Sequence, residues 1–203
     1  MKKILKTALI IILIAILIVG GYFLALNLTR KSALEAIDGM FAAVKTGDEE
    51  QMKKYINSEK LTEEEKEATD TEGTEDKDMV KAMLKNLNYE VVSTDVKINK
   101  CIVKLKVSNK DLKTVFSNYM AKAFSLAFSQ AFGGMTEEEM NNQLKQYFEE
   151  QYNSDSVGTI TSDLTINMEK QKEWKLDYNE DELVNAVLPG YKEVMNSMNN
   201  INE

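Results

Sequence analysis

The 203 residues carry 33 acidic against 25 basic side chains, a formal net charge of −8, and no histidine. Without histidine a Ser-His-Asp or Cys-His centre cannot be built, nor a zinc site of the usual His/Cys kind, and the commonest general base is gone. A single cysteine, Cys101, excludes an intrachain disulfide and a lipid-modified cysteine beside the apolar N-terminal run. The absence of a basic stripe argues against nucleic acid as a partner.

The chain opens with Lys2, Lys3 and Lys6 and then runs without a charge from Ala8 to Leu26. At 1.5 Å per residue, ~20 apolar residues on all sides of a helix span the ~30 Å hydrocarbon layer, so 8–26 is expected to be a transmembrane anchor. The basic flank favours a cytoplasmic N-terminal tail at 1–7, which puts the rest of the chain outside the cell membrane as a single-pass protein. A cleaved signal peptide fits less well. The run is too long for an h-region, and Phe23 and Lys31 stand where small residues would precede a cut at Ala25 or Ala33.

An extracytoplasmic domain is expected over 32–198, with a short tail at 199–203. Leu34, Ile37, Phe41 and Val44 recur at helical spacing, Gly47 reads as a stop, and Asp48 with Gln51 reads as the next N-cap, opening a short helix with Met52, Tyr55 and Ile56. The stretch 59–78 holds ten acids against three lysines, and these account for most of the net charge. Its Asp70 to Glu75 segment invites a calcium reading, but Gly73 falls at the fourth position instead of the sixth that an EF-hand loop needs. The expectation is an acidic loop or frayed helix with no bound metal.

Helical period resumes through Val80, Met83, Leu84 and Leu87, then changes to two. Tyr89 to Val96 is rich in strand formers, Ile98 to Lys100 can turn, and Cys101, Val103, Leu105 and Val107 alternate with Ile102, Lys104, Lys106 and Ser108, which predicts a β-hairpin with one buried face. A long helix follows, capped by Ser108 with Asp111 as its partner, or by Asn109, and ended by Gly133-Gly134, in which Phe116, Met120, Phe124, Phe128 and Phe132 recur every four residues. Such a stripe is expected to be core, with Phe116, Met120 and Phe124 against the sheet. It can also line a ligand pocket or a partner groove. Thr136 with Glu139 opens another helix carrying Met140, Leu144, Tyr147 and Phe148. Ile160, Ser162, Leu164, Ile166 and Met168 share one face of a long strand that turns into Trp174 and Leu176; a helix from Asn179 breaks at Pro189-Gly190, and Tyr191 to Met198 can form a last segment.

Helices, a hairpin, two helices and a second hairpin make an α+β order with a curved antiparallel sheet. With the Lys-Thr-Gly-Asp turn at Lys45 to Asp48, the Ser-Asn-Lys-Asp helix start at Ser108 to Asp111 and the Glu-Trp-Lys-Leu strand at Glu173 to Leu176, this order resembles the NTF2-like, or cystatin-like, cone of uncharacterised membrane-anchored or lipoprotein-type proteins of low-GC Gram-positive bacteria. The lysine-to-arginine ratio of 24 to 1 suits such a genome. The resemblance implies a curved sheet wrapped around a long helix. Enzymatic members place an Asp, Tyr or His inside the cone, whereas Asp163 falls on the polar row of its strand, so no catalytic, cofactor-binding or metal-binding residue is carried over.

The functional expectation is a non-enzymatic protein-interaction module in the cell envelope. It is tethered by its helix and acts through an envelope protein or a second copy of itself, without a cofactor. Binding of a small apolar ligand in the cone is the alternative, followed by an enzyme of the NTF2-like type.

Overall fold

A computed structural model describes residues 2–55 and 81–201. The acidic stretch 59–78, and with it the calcium question, lies outside the described residues. A single helix, α1 (Lys2–Thr46), carries the apolar run and continues without a break into the domain. No proline or helix-ending glycine interrupts it until Gly47, whose φ of 66° and N–H bond to the Val44 carbonyl turn the chain. Asp48 then accepts the Gln51 N–H at 3.0 Å and starts α2 (Glu49–Tyr55), as the Asp48/Gln51 spacing predicts. α2 folds back along α1, with the Tyr55 ring against Gly39.

α1 has two environments. Ile16, Leu17, Ile18, Phe23, Leu24 and Leu28 are exposed, while Ala33, Ala36, Ile37, Met40, Phe41 and Ala43 are buried. The helix is long and apolar enough to cross a bilayer over its first part. Its second part is the core helix of the domain.

Residues 81–84 are helical and lead through Leu87 into a four-stranded antiparallel sheet of order β1-β2-β3-β4. The strands are β1 (Asn88–Lys97), β2 (Lys100–Lys110), β3 (Thr159–Lys170) and β4 (Trp174–Asp177). Asn99, at φ 61°, supplies the left-handed residue that the β1–β2 turn needs. Cys101, Val103, Leu105 and Val107 form the buried row of β2, opposite Met168, Ile166 and Leu164 of β3. Both rows fall where the period-two pattern places them. A register shift between Val91 and Ser93 bends β1, and the other sheet face is polar and open.

The buried face is covered by the second part of α1 and by α5 (Glu180–Val187), which packs on β2 and β3. The helices between the hairpins, α3 (Leu112–Ala131) and α4 (Glu137–Asn153), pack mainly on each other, and α3 also packs on the last helix, α6 (Tyr191–Ile201). Their base makes a second core of Leu112, Val115, Phe148, Tyr152, Val157 and Val194. The α+β class with an antiparallel sheet on helices is therefore present, but the covering helix is α1 and not the Phe-rich α3. Ala33 and Ala36 let α1 approach the sheet closely, and Phe41 stacks on Tyr89 at 4.1 Å between centroids. That leaves no room on this face for α3.

Asn109 joins the two cores. The sequence offers it as a helix cap, yet the N-cap of α3 is Asp111, and Asn109 is fully buried. Its Nδ2 donates to the carbonyls of Met83 at 2.9 Å and Val187 at 2.7 Å, and its Oδ1 accepts the Lys110 N–H. Next to it the Lys110 ammonium donates to the Ser154 and Val157 carbonyls at the end of α4, where the helix dipole favours a cation.

Two stability outcomes follow from this packing. Phe41→Ala should cost about 3–5 kcal/mol, the range for emptying a packed aromatic site, and urea unfolding that shows under ~1 kcal/mol would refute the placement of α1 in the core. Asn109→Ala should cost about 1–3 kcal/mol for the two carbonyls left unpaired. Asn109→Asp should cost more near neutral pH, because a carboxylate then faces the same two oxygens.

Candidate functional site

The α3–α4 hairpin is built by local signals. Asp111 accepts the Lys113 N–H and the Thr114 hydroxyl, which fixes the start of α3. Gly133, at φ 73°, turns the chain at its end, and the Gly133 and Gly134 N–H groups close onto the Gln130 and Ser129 carbonyls. Thr136 and Glu139 then form a reciprocal capping box for α4, and these hydrogen bonds hold the Glu139 carboxyl below its usual range.

The seam between the helices is fastened at several heights. Tyr119 meets Phe148 edge-on at 6.0 Å, and Asn118 donates to Gln151 at 2.8 Å. Higher up, Lys122 lies over the Tyr147 ring at 5.7 Å, and Leu126 and Leu144 are buried.

The five aromatic-stripe residues do not share one environment. Phe116 packs on the second core and Met120 is half-buried, while Phe124, Phe128 and Phe132 are 67, 70 and 81% exposed. This corrects the expectation that Phe124 faces the sheet. The cause is helical arithmetic: a step of four residues overshoots a 3.6-residue turn by ~40°, so four such steps carry the stripe through ~160°. Phe116 and Phe132 therefore point to nearly opposite sides of α3, whereas Leu112, Val115, Tyr119 and Leu126, spaced by threes, fours and sevens, hold the seam. The drift is visible in the numbering itself and is the signal that separates core from surface here. The result is an aromatic strip at the free end of the hairpin, where the Phe128 and Phe132 rings lie 5.7 Å apart.

Elsewhere, titratable groups with shifted behaviour have structural causes. Burial, then the Asp95 charge, raises the Cys101 thiol, against a smaller opposing pull from Arg30. Burial and a hydrogen bond donated to Asp38 raise the Tyr89 phenol. Burial, then the Asp111 charge, raises that of Tyr152, whose hydroxyl finds no hydrogen-bond partner among the described residues. Among the described residues, no Cys, Asp and Glu side chains gather into a group that could hold a metal ion.

Three clefts among the described residues are open to solvent and lined by polar and apolar groups together. One of about 240 Å³ lies near Lys100, Asn167, Glu169 and Asp177; another of about 170 Å³ lies beside Asp95 and Lys97; a third of about 530 Å³ runs between Lys45, Lys81, Lys85 and Glu149. The first two also touch Met168, and the second Cys101, of the buried rows, but each opens to solvent and none is an enclosed apolar cavity.

No family model matches the chain, and no curated protein matches it. A solved structure described as a "putative lipoprotein (ycdA)" from Bacillus subtilis is similar at 17% identity, with a TM-score of 0.41 over 75% of this chain and 46% of that one. The chain thus spans less than half the length of this neighbour.

Phe128→Ala and Phe132→Ala should each change stability by less than ~0.5 kcal/mol in thermal unfolding, as exposed positions do. Tyr152→Phe should leave stability unchanged or raise it, since it removes a buried hydroxyl without a protein partner. A loss above ~1 kcal/mol at Phe128 would move the strip back into the core.

Proposed function

We propose that the chain is a membrane-tethered, extracytoplasmic, non-enzymatic interaction protein that presents the exposed end of the α3–α4 hairpin to a protein partner in the cell envelope. The observation that carries this reading is the pairing of an apolar helix exposed on all sides with a domain whose largest exposed aromatics, Phe124, Phe128 and Phe132, sit together on one projecting hairpin. A lipid-facing helix explains the first, and burial against a partner explains the second, because contiguous exposed apolar surface on a soluble domain is costly unless it is used. Lys2, Lys3 and Lys6 before the run favour a cytoplasmic N-terminus with the domain outside. The likeness to NTF2-like envelope domains of Gram-positive bacteria belongs to this proposal as well.

The topology is tested by Ser129→Cys, an exposed position on α3. A membrane-impermeant thiol reagent should label it on intact cells, while buried Cys101 stays unlabelled. Labelling only after lysis would reverse the orientation. For the partner, a photo-crosslinking amino acid at Phe128 should give a discrete protein adduct in cells that Phe124→Glu abolishes. Adducts to lipid alone, or none, would overturn the assignment of the strip to a protein.

A further inference from the structure

The end of the sheet nearest the apolar run is a second membrane-facing surface: we infer that the β1–β2 and β3–β4 turns rest on the headgroups of anionic phospholipids. The inference rests on the transmembrane reading proposed above and adds an attitude of the domain to it. Three observations fix which end of the sheet points toward the apolar helix. The Trp174 Nε1 at the start of β4 donates to the Ser32 hydroxyl at 3.0 Å. The Arg30 charge is felt at Cys101, one residue into β2. At the opposite end of the sheet, Tyr89 stacks on Phe41, further along α1. The strands therefore run along α1, and both hairpin turns lie at its apolar end, joined by the Lys170 N–H bond to the Asn99 carbonyl at 2.8 Å.

The heights agree with this contact. Ser32 is about 9 Å beyond Leu26 at 1.5 Å per helical residue, and Arg30 about 6 Å beyond it. The headgroup layer is ~5–8 Å deep on each side of the hydrocarbon. From Cys101 the strand continues toward the bilayer for one more residue, Lys100, a rise of ~3.3 Å, before the turn at Ile98-Asn99. The turn thus reaches headgroup level.

The chemistry of the two turns suits that layer. Lys97, Lys100, Lys170 and Lys172 flank the two turns, and Arg30 and Lys31, the latter paired with Glu35 at 3.9 Å, stand beside them on α1, in a chain that is acidic overall. Glu173 is the acid within the turns, while Glu169, paired with Lys100 at 3.2 Å, and Asp95 stand further back. Ile98, at the tip, is exposed among the described residues. The Lys170 ammonium over the Trp174 ring, at 5.4 Å, stiffens the second turn. Basic side chains around one apolar tip, held at a fixed height beside a membrane helix, match an anionic interface.

The test uses the full chain reconstituted in liposomes of phosphatidylcholine alone or with one-third phosphatidylglycerol. The environment-sensitive dye NBD is attached in separate variants at Leu17→Cys, Ile98→Cys and Thr159→Cys, Cys101 being buried. Leu17 reports the span, Ile98 the turn, and Thr159 the far end of the sheet. With phosphatidylglycerol, the dye at 98 should be quenched at least twofold by headgroup-nitroxide lipid while that at 159 is not, and Lys97, Lys100, Lys170 and Lys172→Gln together should halve the quenching at 98 and leave the dye at 17 in the bilayer. A dye at 98 as aqueous as that at 159, with 17 in the bilayer, overturns the inference while the span stands. Quenching at 98 that is equal in both lipids and indifferent to the lysine changes overturns the assignment to anionic headgroups. A dye at 17 that reports water overturns the span, and this inference with it.

Discussion

One unbroken helix bears on everything else in this molecule. The hydrogen-bond ladder of α1 runs from the exposed apolar residues into the centre of the domain, where Ile37, Met40 and Phe41 complete a core that the sheet cannot close alone. A four-stranded sheet must bury one face, and here an extension of the apolar helix covers β1 and β2 while α5 covers β2 and β3. The apolar segment and the core helix of the domain are thus the same element. α2 and α5 finish the layer, and the α3–α4 hairpin, having no sheet to cover, is free to project.

Local chemistry was legible in the sequence wherever a few adjacent residues decide the outcome. Asp48 with Gln51, Thr136 with Glu139 and Asn179 with Glu182 all act as helix starts, and the alternation from Cys101 to Val107 set both the strand and its buried face. The choice among amphipathic helices was not legible. Phe116 to Phe132 and Leu34 to Val44 are both apolar stripes, and side-chain size suggested the former for the sheet. Close approach decided for the latter, because alanines at 33 and 36 admit the sheet and four phenylalanines in a drifting stripe do not. Nor did the pattern separate an anchor from a following helix, since Asn27, Thr29, Arg30 and Lys31 look like a break in hydropathy while leaving helical hydrogen bonding intact.

Asn109 shows the same limit from the polar side. Asn before a helix is normally a cap, and the local reading of Ser108 to Asp111 is sound in kind; the cap falls on Asp111 instead. Asn109 is drawn inward because the carbonyls of Met83 and Val187 arrive from segments distant in sequence and need a donor in a place water does not reach. One amide there registers three segments at once, and no short window of sequence contains the information.

The absence of a linker between Leu28 and Ser32 gives the join a phase. Each residue inserted into a continuous helix turns whatever follows by ~100° and raises it by 1.5 Å. The apolar run is apolar on every side, so a bilayer would accept any phase equally. The bearing of the aromatic hairpin relative to any one face of the apolar run is therefore set by the number of residues between that run and Ala33, and a chain one residue longer there would carry the same domain, equally folded, above a different face of the helix.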